Sequence, residues 1–76
     1  MFTIKLYSDD KNYNALEAIH YNIRKLSNGV TEITLYPNYT TTDGITYRVS
    51  KDNINDLHWK YAYIENSSGK TIEHIR

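Results

Sequence analysis

The stretch Leu26-Ser27-Asn28-Gly29-Val30 decides how the chain folds, because it has the residues of a β-hairpin turn. Asn-Gly is a strong short-range turn signal, since both residues tolerate positive φ angles. A three-residue loop with Gly29 in the left-handed conformation sets Arg24 opposite Glu32. The same register gathers an apolar set on one face, namely Tyr21, Ile23, Ile33 and Leu35. A two-residue loop would divide that set between two faces, so the three-residue loop is predicted.

The hairpin interpretation predicts one strand around Leu16–Leu26 before this turn, and a helix is the competing interpretation of the same segment. The apolar residues Leu16, Ile19, Ile23 and Leu26 have the spacing of a helical stripe. Asp9 has the residue type that caps a helix start, and Gly29 has the type that ends one. Against a helix, the segment contains several Asn, Tyr and His residues, which are mediocre helix formers. Both interpretations remain open from the sequence alone.

Further strands are predicted on either side of the central hairpin. The segments 2–7 and 45–49 alternate between apolar and polar residues, which is typical of half-buried strands. A second hairpin is predicted for 60–65 and 70–75, with its turn at Asn66-Ser67-Ser68-Gly69. Pairing Glu65 with Lys70 in this hairpin places Tyr63 opposite Ile72 and Tyr61 opposite His74. The polar segment 51–56 is expected to be a loop or a single helical turn that carries Ile54 and Leu57 toward the core.

These elements predict one all-β domain over residues 1–76. Five or six short antiparallel strands joined by tight turns indicate a small barrel or a curled sheet built from hairpins. If the helical interpretation holds instead, the fold is α+β. One helix at about 9–27 would then pack on an antiparallel sheet of four or five strands.

Composition narrows the classes of partner. The chain has 9 basic and 9 acidic residues, so its formal net charge is zero, and it has no cysteine. A neutral chain is a poor candidate for binding nucleic acid mainly through phosphate attraction. No apolar run reaches the roughly 18 residues of a membrane span, and the N-terminus lacks a signal-peptide pattern. We therefore expect a soluble, cytoplasmic protein that does not bind membranes.

The sequence lacks the recognised motifs of catalytic, phosphate-binding and metal sites. It contains no phosphate-binding loop, no nucleophile elbow and no His-Glu-x-x-His motif. His20, His58 and His74 have no partner at a recognised metal-ligand spacing. The carboxylates Asp9-Asp10 and Asp52/Asp56 lie in predicted polar turns. We therefore predict no catalytic residues, no metal, no cofactor and no enzymatic activity.

The most suggestive feature is aromatic. The chain has 8 tyrosines and one tryptophan, residue types that are enriched in protein interfaces. Strand alternation places Trp59, Tyr61 and Tyr63 on one face, and we take these three with Arg48 and Lys60 as the candidate binding site. The row is exposed if Ala62 and Ile64 point inward, and it is core if they point outward. An exposed row fits a protein-binding surface or a stacking platform for single-stranded nucleic acid, and a free strand edge would fit self-assembly.

The chain resembles the short orphan accessory proteins of bacteriophages and mobile elements. The likeness lies in small size, absence of cysteine, richness in Asn, Ile, Tyr, Thr and Lys, and the hairpin Tyr61-Ala62-Tyr63-Ile64-Glu65-Asn66…Gly69-Lys70-Thr71-Ile72. The resemblance implies a protein that binds and inhibits or modulates a host protein or defence complex, such as a CRISPR effector. It transfers no functional residues and leaves the partner and the oligomeric state open.

Overall fold

The structure is a computed structural model that describes residues 1–40, 43–51 and 58–76. These described residues form seven antiparallel strands, which confirms the all-β class but exceeds the five or six strands predicted. Their bounds are β1 (Phe2–Tyr7), β2 (Tyr13–Ala18), β3 (His20–Lys25), β4 (Thr31–Tyr36), β5 (Ile45–Val49), β6 (Tyr61–Glu65) and β7 (Thr71–Ile75). The alternative helix at about 9–27 is wrong, because β2 and β3 occupy that segment.

The strands form two sheets, ordered β2-β1-β6-β7 and β3-β4-β5. β2 and β3 are separated only by Ile19, whose backbone amide donates to the carbonyl oxygen of Tyr36 in the second sheet (3.0 Å). The predicted single strand through this segment is therefore two strands that belong to different sheets. A lone parallel bridge between Val49 and Trp59 joins the sheets elsewhere. Over the described residues the sheets do not close, so the predicted barrel is an open two-sheet arrangement.

The core lies between the inner faces of the two sheets. Because side chains alternate along a strand, every second residue faces it. The first sheet contributes Ile4, Leu6, Ala18, Ala62, Ile64 and Ile75, and the second contributes Ile33, Leu35 and Val49. Phe2 meets Tyr21 edge-on across the layers, with ring centroids 5.0 Å apart. The prediction for Ile54 and Leu57 falls outside the described residues.

The central hairpin has the predicted register. Arg24 pairs with Glu32, Ile23 with Ile33 and Tyr21 with Leu35. The Leu26 amide donates to the Val30 carbonyl oxygen (2.8 Å), which closes the three-residue loop. Gly29 has a φ of 84°, the left-handed conformation that favours glycine. The turn residues and the apolar pattern therefore agree on one register.

The register predicted for the last hairpin is wrong. The Asn66 amide donates to the Lys70 carbonyl oxygen (2.9 Å), and Asn66 Oδ1 accepts from the Lys70 amide (3.0 Å), so these two residues close the turn. A register shift next to Glu65 then displaces the pairing by one further residue, so that it differs from the predicted register by two residues. Tyr63 consequently lies opposite His74, and Ile72 is 40% exposed. A bulge of this kind inserts an extra residue that alternation alone does not reveal.

Gly44 is expected to tolerate no side chain, because the chain before β5 lies against β4. A Cβ built there would overlap Thr34 Cγ2 and lie 3.0 Å from Tyr36 Cε1. Gly44→Ala should therefore lower the free energy of unfolding by about 1–3 kcal/mol, measured by urea titration. Adding Thr34→Ala should recover part of that loss, because it removes the overlapping methyl group. An unchanged unfolding midpoint in Gly44→Ala would show that the contact is not tight.

Candidate functional site

Four tyrosines lie on the outer face of the first sheet. They are Tyr7 of β1, Tyr13 of β2 and Tyr61 and Tyr63 of β6, and we call this surface the tyrosine face. Leu6, Ala62 and Ile64 alternate with them and are fully buried on the inner face. Tyr7, Tyr61 and Tyr63 are half-buried and Tyr13 is 48% exposed. The question left open by alternation is thereby answered: Tyr61 and Tyr63 lie outside the core.

Tyr7 occupies the centre of the tyrosine face. Its ring stacks on that of Tyr61, with centroids 4.7 Å apart and planes within 9°. It also contacts the rings of Tyr13 (4.9 Å) and Tyr63 (5.6 Å). These contacts follow from the register, because Tyr7 lies directly between Tyr13 and Tyr61 on the two neighbouring strands. The rings therefore support one another and form one continuous aromatic surface.

The bulge in the last hairpin extends this surface to β7. It places His74 opposite Tyr63, and the two rings stack with centroids 4.2 Å apart. Arg76 Nε donates a hydrogen bond to His74 Nε2 (3.1 Å). The imidazole is thus held by a neighbouring ring and a guanidinium at the edge of the tyrosine face.

Polar groups hold the other margins of the tyrosine face. The Tyr61 hydroxyl donates to Asp10 Oδ1 (3.2 Å), and partial desolvation followed by this acid raises the pKa of Tyr61 above 10. On the opposite side, Lys5 Nζ lies 3.0 Å from Glu65 Oε2 and 5.5 Å from the centroid of the Tyr13 ring. The hydrogen bond to Glu65 raises the pKa of Lys5. Asp10 therefore holds the Tyr61 ring in one position, and Glu65 holds the Lys5 ammonium group in one position.

A small groove opens beside Tyr61 and Tyr63. Its volume is about 360 Å³, and it is lined by Asp10, Lys51, Tyr61, Tyr63, His74 and Arg76. Tyrosine hydroxyls and the charged groups at its rim can exchange hydrogen bonds with a bound side chain. Its size suits one or two side chains of a partner and falls near the lower limit of small-molecule sites, which is about 300 Å³.

The turn between β1 and β2 positions Asp10. Asp9 Oδ1 accepts hydrogen bonds from the amides of Lys11 and Asn12, both at 2.8 Å. The Asn12 side chain also donates to the Asp9 carboxylate, and this bond followed by the two amides lowers the pKa of Asp9 below 3.8. This local network is an Asx-type turn, in which a side chain satisfies nearby backbone donors.

Acid is expected to loosen this turn. Because folding lowers the pKa of Asp9, its contribution to stability is present above the unfolded value of 3.8 and is lost as pH falls through the lower folded value. In an NMR titration, the amide signals of Lys11 and Asn12 should shift together below pH 3.8. Asp9→Asn keeps an acceptor oxygen and removes the titrating group, so this variant should lack the shift. An identical titration in both proteins would contradict the assignment.

The five residues of the predicted site do not all meet. Tyr61 and Tyr63 do, and the Lys60 amide donates to the Tyr7 carbonyl oxygen beside them (2.7 Å). Trp59 packs against the core, and its carbonyl oxygen accepts from the Ser50 amide (3.1 Å), so it links the two sheets. Arg48 lies on the outer face of the second sheet, where its Nε is 3.0 Å from Glu32 Oε2. The structure therefore places Arg48 and the pair Tyr61 and Tyr63 on the outer faces of different sheets.

Three residues of the surface were absent from the predicted site. Tyr7 alternates with Thr3 and Lys5 along β1, so the strand pattern already placed it on an outer face. Tyr13 required the register of the hairpin between β1 and β2, and the turn residues at 8–12 do not specify it. His74 was predicted opposite Tyr61, on the face of the aromatic row, and the structure places it opposite Tyr63 on that same face. Tyr7 and His74 therefore both carried a signal in the strand pattern.

The outer face of the second sheet has a different character. Arg24 and Arg48 flank Glu32, with nitrogen–oxygen distances of 3.9 and 3.0 Å. Beside them the hydroxyls of Thr34 and Thr46 lie 3.0 Å apart. Paired charges and hydroxyls of this kind are typical of a solvated strand surface. The two outer faces of the molecule thus divide into one mainly aromatic and one mainly polar.

Comparison of the chain with protein-family models, curated proteins and solved structures finds no match. Residues 1–40, 43–51 and 58–76 bring no three His, Asp or Glu side chains together in a group that could hold a metal ion. Nor do they contain a helix of the length and apolar character that would span a membrane. The tyrosine face remains the candidate site on its geometry alone.

Proposed function

We propose that this protein is a non-enzymatic binding module that engages a partner protein through the tyrosine face. The observation that carries the proposal is the continuous cluster of Tyr7, Tyr13, Tyr61 and Tyr63 on the outside of a sheet whose inner face is already packed. Tyrosine combines a large contact area with a hydroxyl that can form hydrogen bonds, and it is enriched in binding hot spots. None of these four rings belongs to the buried core between the two sheets.

The packing of the rings favours binding further. A partner that orders a mobile side chain loses about 0.5–1.5 kcal/mol of affinity for each one. Tyr7 is held by three neighbouring rings, Tyr63 by His74, and Tyr61 by Asp10. These side chains are already ordered in the free protein, so little entropy remains to be lost. Binding therefore retains more of the energy of its contacts.

A protein partner accounts for the ring arrangement better than nucleic acid does. Bases bind such platforms by stacking on open ring faces beside cationic groups. Here one face of Tyr7 lies on Tyr61, one face of Tyr63 lies on His74, and Lys5 is paired with Glu65. The surface therefore offers mostly ring edges and hydroxyls. The resemblance to phage accessory proteins supports a host protein or defence complex in the cytoplasm as the target, which this protein would inhibit or modulate.

Affinity capture from a bacterial lysate tests the proposal. The protein, a Tyr61→Ala/Tyr63→Ala variant and an Arg24→Ala/Arg48→Ala control are compared, each with and without nuclease. We expect a stoichiometric protein that survives nuclease, is retained by the arginine control and is lost from the tyrosine variant. Loss on nuclease treatment would favour the nucleic-acid alternative. Equal capture by all three proteins would show that the tyrosine face is not the site.

A further inference from the structure

Strand β2 has a free edge. It pairs with β1 on one side, and the described residues place no strand on the other. The Ser8 amide donates to the Asn12 carbonyl oxygen (3.1 Å), which makes this a hydrogen-bonded pair of the antiparallel ladder. Hydrogen-bonded and non-hydrogen-bonded pairs alternate along such a ladder. The amides and carbonyls of Tyr13, Ala15 and Glu17 therefore point away from β1, toward the free edge.

The continuation of the same strand supports this orientation. Ile19 is an even number of residues from Tyr13, Ala15 and Glu17, so its backbone groups point to the same side of the strand as theirs. Its amide donates to the carbonyl oxygen of Tyr36 in β4 (3.0 Å). β4 ends at Tyr36 because Pro37 follows and cannot donate to a ladder. A strand beside β2 would therefore lie where β4 would run if it continued. The edge is left open by the end of β4.

This edge lacks most of the features that usually prevent strand pairing. β2 contains no Lys, Arg or Pro and matches β1 over six consecutive residues without a bulge. By contrast, the edge strand β7 follows Lys70 and pairs through a bulge, and β3 carries Arg24 and Lys25. Tyr13, Asn14 and Ala15 are all exposed. The fourth edge strand, β5, carries Arg48, so of the four edges β2 is the one built to accept another strand.

We propose that a second copy of this chain pairs with β2 in antiparallel fashion, with Ala15 on the twofold axis. In this register Ala15 lies opposite Ala15 of the second copy, and Tyr13 lies opposite its Glu17. The three residues whose backbone groups point outward then meet the same three of the second copy. Each such pair can exchange both hydrogen bonds. The side chains of these residues all lie on the outer face of the first sheet. In the joined sheet, the outer faces of the two copies therefore lie on the same side.

Charge and shape also fit a second copy. Glu17 is the one charged residue of β2, and the register sets it against a tyrosine, away from the Glu17 of the second copy. Alanine at the axis leaves room for close approach, and the formal net charge of zero gives two copies no general repulsion. The two four-stranded sheets would become one continuous sheet that carries both tyrosine faces on the same side. Such a dimer is an isologous assembly.

Sedimentation equilibrium of the purified chain tests the dimer. A single strand pair buries less than a standard interface of about 1,600 Å², so protein concentrations should extend to roughly 1 mM. We expect a monomer–dimer equilibrium that Ala15→Pro weakens at least tenfold, because proline removes an amide that β1 does not use. Ala15→Ser keeps the amide and should behave as the parent chain does.

A second variant covers the case in which Ala15→Pro fails to fold. In Ala15→Glu the new carboxylate lies opposite Lys5 within one copy, but two such carboxylates face each other across the axis. This variant should also be monomeric. A monomeric parent chain at all concentrations, or an unchanged dimer in Ala15→Glu, would overturn the proposal. If the Ala15→Glu variant is monomeric and still captures the partner protein, dimer formation and partner binding are separate properties, and the failure of one does not imply the failure of the other.

Discussion

Replacing Ile64 by alanine is expected to lower the free energy of unfolding by about 2–5 kcal/mol. Ile64 is fully buried in β6, an inner strand of the first sheet, where it pairs with Ile4 on β1. The change removes apolar contacts and leaves a cavity between the sheets. Domains have a total stability of about 0.05–0.15 kcal/mol per residue, so this loss is a large fraction of the free energy of unfolding.

Ile72→Ala is the matched control for this experiment. Ile72 has the same side chain and lies one strand away, but the bulge leaves it 40% exposed. Its replacement should cost less than about 1 kcal/mol, as for most surface positions. Both free energies are measured by urea unfolding monitored by circular dichroism. Equal losses in the two variants would contradict the assignment of Ile64 to the core and of Ile72 to the surface.

Replacing Tyr7 by alanine is expected to weaken binding of the captured partner by roughly 30-fold, the size of a hot-spot effect of about 2 kcal/mol. Tyr7 contributes its own surface and also supports the rings of Tyr13, Tyr61 and Tyr63. Its loss should therefore affect binding more than the loss of Tyr13, which contacts Tyr7 at the margin of the cluster. Calorimetric titration of the purified partner measures the difference.

Tyr39→Ala provides the control for Tyr7→Ala. Tyr39 is 91% exposed in the segment that follows β4, so its removal changes the tyrosine count and leaves the tyrosine face intact. We expect unchanged affinity in this variant. Circular dichroism of Tyr7→Ala at the titration temperature shows whether the variant is folded. A folded Tyr7→Ala variant with parental affinity would contradict the central role of this ring.

The central hairpin could be predicted from the sequence because two independent signals agree there. Asn28-Gly29 specifies the turn, and the apolar set on the following strand accepts one register only. The last hairpin had the same kind of turn signal, but its loop closes between Asn66 and Lys70, and the bulge beside Glu65 shifts the pairing further. Bulges depend on how the turn closes its hydrogen bonds, and alternation does not encode this. One prediction was confirmed and the other was wrong for that reason.

The alternation of apolar and polar residues does not predict that the strands divide into two sheets. Ile19 is an ordinary apolar residue at which the chain leaves one sheet and enters the other. Trp59 likewise alternates correctly with Tyr61, yet it precedes β6 and packs against the core. In both cases tertiary pairing decides the position, and local alternation holds only within one continuous strand. The candidate site was therefore predicted in part, through Tyr61 and Tyr63.

NMR chemical-shift mapping of the complex with the captured partner tests most directly whether the tyrosine face is the binding surface. We expect the largest shifts on Tyr7, Tyr61, Tyr63 and His74, while the amides of Arg24, Glu32 and Arg48 change little. The two groups lie on the outer faces of different sheets, so the result separates them clearly. Shifts concentrated on Arg24, Glu32 and Arg48 would contradict the proposal that the tyrosine face is the binding surface.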